Sequence, residues 1–394
     1  MADEEDLETE FSVKVLITGG AGFIGRRTAA ALAAGGDTVT ILDSFSPQIH
    51  GDPTGHDALK AELAQHADVI VGDVRDAALL KELAPGHDAV LHLAAETGTG
   101  QSMYDMIRYN DVNVTGTAAL LEAVTAAGSK IGKVVVASSR SIYGEGAYHC
   151  AQHGIVHPGD RSPAVMDAGS FDPTCPICGE AITVASTSEQ APLTPASVYA
   201  VTKLAQEHLV LAVAKAHGFA GYALRYQNVF GAGQSLSNPY TGILSIFSRE
   251  MLFGRPIEIF EDGLESRDFV HVDDVVKANC AALLPTNGGV HSINVGTGIG
   301  ISVNTVAAEL ARLLDYKGEI RISGRYRAGD IRHNIADVRL LQDTLNLECT
   351  IDFKTGLEKF VAWAREELIR GSDNGGAYIH SLAELAERGL MKGG

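Results

Sequence analysis

Tyr199 and Lys203 stand four residues apart in the run Ser197-Val-Tyr-Ala-Val-Thr-Lys203, a spacing that puts both side chains on one face of a helix. A free phenol titrates near pH ~10. A neighbouring ammonium stabilises the phenolate and brings it toward use as a base. Such pairs are common on solvated helix faces, so the spacing alone says little. Earlier in the chain, however, an apolar run ends in Ala137-Ser138-Ser139. A serine at the C-terminal end of a parallel strand points into the crevice where such sheets bind ligands. Ser139, Tyr199 and Lys203 are therefore expected to act together. Ser139 would hydrogen-bond the reacting oxygen, and Tyr199 would exchange its proton.

A second constellation lies near the start. Thr18-Gly-Gly-Ala-Gly-Phe-Ile-Gly25 follows one apolar run and opens an Ala-rich one. Gly19 permits a tight turn, Gly22 lets a pyrophosphate approach the backbone, and Gly25 lets the following helix pack close. Phe23, Ile24 and Gly25 would offer backbone N–H groups and a positive helix end to the phosphates. Asp43, at the end of the second strand, is placed to bond an adenosine ribose. A carboxylate there repels a 2′-phosphate, which favours NAD over NADP. Asp73, ending the third strand, is an expected adenine-side contact or a plain strand-end cap. Val74 and Ala94 complete the expected cofactor-facing set.

A third set is Cys150-x-x-His153 and Cys175-Pro-Ile-Cys178-Gly179. Two pairs, each spaced to wrap one ion, make a zinc pattern. Cys150, His153, Cys175 and Cys178 are the expected ligands of a structural zinc, with His149 and His157 as other candidates for the histidine. A Cys175–Cys178 redox disulfide and ordinary free thiols are the alternatives. Cys280 and Cys349 read as small core residues.

These groups need positioning by a large scaffold. The chain has 394 residues, 45% of them hydrophobic and 20% charged, enough for a sizeable core. Residues 1–11 read as a disordered acidic tail. Short apolar strands at 13–18, 38–43, 68–72, 89–94 and 134–138 alternate with helices, including a long one at 105–127. That pattern predicts an α/β, Rossmann-type, doubly wound parallel sheet with helices on both faces. Residues 145–194 lose periodicity and read as an insertion carrying the zinc knuckle. Helix 197–217 and strand 221–226 resume the pattern. An NAD-binding domain is thus expected over 12–230, and a smaller, mainly substrate-binding α/β lobe over 231–394.

The formal charge of -18 argues against nucleic acid as a partner, since such binding rests on Lys and Arg. No apolar run approaches the ~18 residues of a bilayer span, and the acidic start is unlike a signal peptide. Five cysteines do not make a disulfide framework. The expectation is a cytoplasmic protein without a membrane partner.

Taken in order, the glycine turn, His92-Leu-Ala-Ala95, Ser138-Ser139-x-x-x-Tyr143-Gly144, Tyr199-x-x-x-Lys203 and Arg267-Asp-Phe-Val-His-Val-Asp-Asp274 resemble the extended short-chain dehydrogenases. These are NAD-dependent nucleotide-sugar epimerases, dehydratases and decarboxylases. The resemblance covers roughly 13–370. It implies a catalytic Ser139/Tyr199/Lys203 set, with Lys203 also holding the nicotinamide ribose and Asn113 near the cofactor. It implies substrate contacts from Asn228 and Arg267 at the diphosphate and from Arg327 and Asp330 at the nucleotide, with Arg140 and Asn238 beside them. Bidentate arginine suits phosphate and lets an acidic chain hold an anion. A homodimer through helices 105–127 and 197–217 is also implied, with Ala118, Ala119, Ala205 and Ala212 at the contact.

The residues after Ser139 narrow the reaction. Dehydratases of that family carry an Asp-Glu pair there and decarboxylases a glutamate; this chain has Arg140 and Ser141. Oxidation at one carbon followed by return of the hydride, an epimerisation, is the simplest remaining outcome. Segments 96–103 and 234–240, with the Cys-bearing insertion, resemble dTDP-L-rhamnose 4-epimerases, which points to C4 and a dTDP-sugar. A net keto-reductase or dehydrogenase on a nucleotide sugar, and a non-enzymatic dinucleotide sensor, are the competing functions.

Overall fold

The structure, a computed structural model, describes residues 12–51, 55–236, 238, 242–284, 286–327, 329–370 and 376–393. The segment 1–11, expected to be disordered, lies outside the described residues.

The first strand, β1 (Lys14–Thr18), has Val15, Leu16 and Ile17 wholly buried. A continuous apolar run of this kind fits only a strand covered on both faces. After it come helix α1 (Phe23–Ala34), β2 (Thr38–Asp43), β3 (Asp68–Val71), β4 (Ala89–His92) and β5 (Lys133–Ser139). Strands Ala220–Tyr226 and Val290–Val295 complete a seven-stranded, all-parallel sheet. Its order is Val290–Val295, Ala220–Tyr226, β5, β4, β1, β2, β3. The winding direction reverses between β1 and β4, so a ligand crevice opens beyond Thr18 and His92. The α1 residues Ala29 and Leu32 pack on one face with Val275 and Ala278 of helix Val272–Leu283. Leu120 and Val124 of helix Gly116–Val124 cover the other face with Val210 of helix Val198–His217.

The chain re-enters this sheet late. Val290–Val295 lies beyond residue 230 yet is the edge strand of the large sheet. A second core gathers Phe230, Phe247, Phe269, Leu310 and Phe360. Its sheet pairs Asn228–Phe230 with Ser266–His271, which also takes Gly300–Ser302 and His333–Asn334 alongside.

Two segments differ from their sequence reading. The long helix expected over 105–127 is Met106–Tyr109, a wide π turn at Asn110–Thr115, and Gly116–Val124. Within the wide turn the Asn113 side chain bonds both the N–H and the carbonyl of Glu96. The segment 145–194 contains an antiparallel three-stranded sheet, Gly154–Val156, Tyr148–Cys150 and Thr183–Val184, whose strands are too short to show a period. No helix among the described residues is long and apolar enough to cross a membrane.

Candidate active site

The glycine turn is built for close approach. Gly19 has φ +70°, and a Cβ there would lie 2.7 Å from the backbone nitrogen of Ala94. A Cβ on Gly25 would meet the Cα of Gly20 at 2.6 Å. Gly22 begins α1 without any side-chain cap. The first-turn N–H groups of Phe23, Ile24 and Gly25 therefore keep their hydrogen-bonding capacity for an anion. Asp43 braces this turn: one carboxylate oxygen accepts the N–H of Ala21 at 3.0 Å, the other that of Phe45 at 2.8 Å. The oxygen bonded to Phe45 also lies 3.4 Å from His50 Nε2, while the one bonded to Ala21 keeps a lone pair for a further donor. Asp73 closes onto Arg75, which donates to it from Nε at 2.9 Å and from Nη2 at 2.6 Å and holds the carboxyl below its usual range. Beside it Val74 is buried against Gly116.

Helix Val198–His217 starts where the Ser197 hydroxyl accepts the N–H of Ala200, and it ends at left-handed Gly218. Tyr199 is thereby held in the first turn, next to the end of β5. Burial raises its pKa, while a hydrogen bond with Ser139 and the charge of Arg140 pull it back down. The Ser139 hydroxyl also accepts from the backbone N–H of Ser141.

Lys203 shares the helix but is otherwise engaged. Its ammonium donates to the Ala137 carbonyl at 2.8 Å and to Gln206 Oε1 at 2.9 Å, and burial lowers its pKa to about 7. The cation beside the phenol in this state is Arg140. Gln206, which the sequence reading missed, continues inward through Nε2 to Thr117 Oγ1 at 2.9 Å. His92 lies in the same buried chain, bonded to Thr18 and Thr117, and burial pushes its pKa down to about 3. Asn113 is wholly buried. It accepts the Glu96 N–H at 2.7 Å and donates to Thr202 Oγ1 at 2.9 Å, joining the β4 exit to the helix of Tyr199. The signal for Gln206 was its i+3 spacing from Lys203.

A small pocket lined by Arg140, Ser197, Arg267, Asp330 and Ile331 lies against this centre. Burial, reinforced by the charge of Arg267, pushes the Arg140 pKa down to about 9, and its Nη1 is buried with no partner among the described residues. Among the described residues Arg267 donates to main-chain carbonyls alone, those of Ser266 and Arg332, each at 2.9 Å. Among the described residues no carboxylate is hydrogen-bonded to either guanidinium, an arrangement that suits an anion. Of the other residues expected there, Arg327 lies over the Phe260 ring at 4.9 Å, its buried Nε without a partner among the described residues. Asn228 has a buried Oδ1 with no partner among the described residues. Asn238 is buried, its N–H donating to Ser235. None of these three lines the Arg140 pocket.

The cysteine–histidine cluster lies in the insertion. The sulfurs of Cys150, Cys175 and Cys178 and a nitrogen of His153 all fall within 4.8 Å of one another. Cys150 Sγ is 3.8 Å from Cys178 Sγ and 3.5 Å from His153 Nδ1, which is 3.6 Å from Cys175 Sγ. A tetrahedral ion with bonds of ~2.3 Å to sulfur and ~2.1 Å to nitrogen needs ligand separations of about 3.5–3.8 Å. The histidine of this group is His153; His149 and His157 stand outside it.

A switch-point crevice beside a glycine turn defines an α/β fold of the dinucleotide-binding class. The chain belongs to the NAD dependent epimerase/dehydratase family, which it matches over residues 15–163 and 169–296. It is 37% identical over 361 residues to a dTDP-L-rhamnose 4-epimerase of Burkholderia thailandensis, covering 91% of this chain and 96% of that one. It is 31% identical to UDP-glucuronate 4-epimerase 3 of Arabidopsis thaliana, over 91% of this chain and 77% of the relative. Among solved structures, MoeE5 in complex with UDP-glucose and NAD is 32% identical with a TM-score of 0.70, over 90% of this chain and 99% of that one. The UDP-glucose 4-epimerase of Thermotoga maritima with UDP-glucose gives 27% and 0.72, with the same coverage.

Proposed function

We propose that this protein is an NAD-dependent epimerase that inverts C4 of a nucleotide-linked hexose, with a dTDP-sugar as substrate. The observation that carries the reading is the meeting of Tyr199 with Ser139 and Arg140 at the end of β5, beside the Arg140/Arg267 pocket. The glycine turn fits a dinucleotide, because its glycines leave the backbone bare at an uncapped helix start. Gly19, Gly22, Phe23, Ile24 and Gly25 would hold the pyrophosphate, and Asp43 the adenosine ribose. Asp73 and Val74 would flank the adenine, Ala94 and Asn113 the inner wall, and Tyr199 and Lys203 the nicotinamide ribose.

Bound NAD supplies the acceptor, and then the donor, of one hydride. The chain's own work is proton transfer and holding. Tyr199 takes the hydroxyl proton of the sugar on its phenolic oxygen and later returns it, while Ser139 keeps that oxygen in place. Arg267, Arg140 and Asn228 would fix the diphosphate, with Arg327 and Asp330 toward the nucleotide and Asn238 beside them, so the sugar can turn while its anchor stays. With Arg140 and Ser141 following Ser139, there is no added carboxylate for dehydration or decarboxylation. The dTDP preference is supported by 37% identity to a dTDP-sugar relative against 31% to a UDP-sugar relative.

We assign zinc to Cys150, His153, Cys175 and Cys178 on their soft donor set and tetrahedral spacing. Four protein ligands leave no open position, so the ion is structural. A homodimer fits the exposed Met106, Ile107 and Val201 on two helical segments that pack together, with Ala118, Ala119, Ala205 and Ala212 at least partly exposed nearby. Five free cysteines suit a reducing cytoplasm.

The test is incubation of the purified protein, without added cofactor, with dTDP-L-rhamnose and then other dTDP- and UDP-hexoses, followed by proton NMR. A 4-epimer formed without added NAD is the expected result. Conversion that requires stoichiometric NAD or NADH refutes it and makes the protein a net oxidoreductase.

A further inference from the structure

We infer that the metal-bearing insertion is a brace for the nucleotide-binding segment, so that zinc occupancy sets affinity for the substrate and not its turnover. The inference rests on reading Cys150, His153, Cys175 and Cys178 as the zinc site. The insertion has little core of its own: around the metal cluster it buries Tyr148, Cys150, Val156 and Cys175, two of them ligands, while its Met166 and Phe171 pack on Tyr326 outside it. A sheet of two- and three-residue strands around such a cluster holds its shape through the ion.

What that shape presents is a set of charged contacts to the pocket wall. Glu145, at the insertion's root, accepts the Tyr148 hydroxyl at 2.6 Å, two residues before ligand Cys150. The same carboxylate accepts the backbone N–H groups of Arg332 and His333, each at 2.8 Å. The Arg332 carbonyl in turn receives Arg267 Nη1 at 2.9 Å. From farther along the insertion, Arg161 grips Glu261 through two bonds of 2.7 and 2.8 Å. Its Nη2 also donates to the Asp330 carbonyl at 2.8 Å. Arg161 is 6% exposed and Glu261 4%, so solvent does little to weaken the pair.

Both routes end in the Arg140 pocket, at Arg267 and Asp330. Neither touches Tyr199 or the glycine turn. Loss of the ion therefore frees the side chains that must be ordered when a nucleoside diphosphate binds, and leaves the Ser139–Tyr199 centre as it was. Reordering two or three such groups costs roughly 10- to 100-fold in affinity. Arg161 and Glu145 are positioning residues in this scheme.

The experiment compares the parent protein, Cys175→Ser and Arg161→Met. Zinc is measured by atomic emission, bound NAD by absorbance after denaturation, dTDP and UDP affinity by calorimetry, and KM and kcat by NMR. The parent is expected to hold stoichiometric zinc. Cys175→Ser should lose zinc, keep NAD, and show weaker dTDP binding and a raised KM, with kcat within about twofold. Arg161→Met should keep zinc and reproduce the loss of affinity. Parent protein without zinc overturns both the metal reading and the brace. Zinc-free Cys175→Ser with parental dTDP affinity and KM overturns the brace and leaves the metal reading standing. If Cys175→Ser does not fold, Arg161→Met decides, and parental affinity with zinc bound overturns the inference. Calorimetry reads the brace even where no sugar is epimerised.

Discussion

Replacing Arg140 by methionine should make the resting protein more stable and a poorer binder. The guanidinium is buried beside Arg267, and burial brings its pKa down from the ordinary arginine range to about 9. At about 1.4 kcal/mol per unit, that fall puts a ceiling of about 5 kcal/mol on the cost of keeping the charge there. Arginine keeps its proton at neutral pH, so the cost is borne by the fold. Water reaching the pocket screens part of it, and methionine retains the packing of the apolar stem; a net gain of about 1–2 kcal/mol is expected. Binding moves the other way. One lost charge-assisted hydrogen bond to phosphate is worth about 1.5–3 kcal/mol, or roughly a 10- to 150-fold weaker Kd. Urea unfolding of substrate-free protein and calorimetry with dTDP read the two effects. The phenol of Tyr199 also loses the cation that draws its pKa down, so the acid limb of kcat should move to higher pH. A variant less stable than its parent with unchanged dTDP affinity would refute the reasoning, since Arg140 would then be a structural cation.

Three further outcomes follow from the same geometry. Tyr199→Phe should lower kcat roughly 10²- to 10⁴-fold while NAD still copurifies; near-parental NMR turnover would remove Tyr199 from the chemistry. Burial holds the folded-state pKa of Lys203 at about 7, against 10.5 for the free side chain. The unfolded chain therefore binds a proton that the folded one refuses between those values, and the penalty is complete below the lower one. Cofactor-free stability should climb with pH across that window, and Lys203→Met should flatten the climb in urea titrations at about pH 7 and about pH 10. Glu207 is 1% exposed and accepts from Arg225 Nη2 and Ser138 Oγ, each at 2.6 Å. Glu207→Ala strands that buried arginine and should destabilise the fold by about 3–5 kcal/mol; a loss under about 1 kcal/mol in urea unfolding would show that the charge finds another partner.

The parallel sheet was legible because its strands are short, unbroken apolar runs, each closed by a turn signal, as in β1 through β5. The glycine turn and Ser139 were legible because their roles depend on residue type at a strand end. Other features have no such trace. The ammonium of Lys203 goes to Ala137 and Gln206 because of what the sheet edge offers once folded, and spacing could report only which helix face it shares with Tyr199. The π turn carries an asparagine bonded to the backbone of Glu96. Asp73 was read as an adenine-side contact or a cap, and its capture by Arg75 two residues on needed the side-chain geometry. The insertion's ligands could be read from Cys-Pro-Ile-Cys-Gly, but its docking could not: Glu145, Arg161 and Arg332 join partners roughly 70 to 190 residues apart, through backbone N–H bonds to a carboxylate and through ion pairs that follow no period.

The late return of the chain to the large sheet has a consequence for synthesis. Strand Ala220–Tyr226 is covered on its outer side by Val290–Val295 alone, in register from Gly221 to Tyr226. Between the two, the ribosome adds about sixty residues, most of which build the second core. Throughout that interval the newest strand of the large sheet presents a bare row of N–H and C=O groups, a template for any other extended segment. The guard strand emerges while the second core is still incomplete, since Leu310 and Phe360 follow it in the chain, and a chain halted before residue 295 carries that edge unprotected.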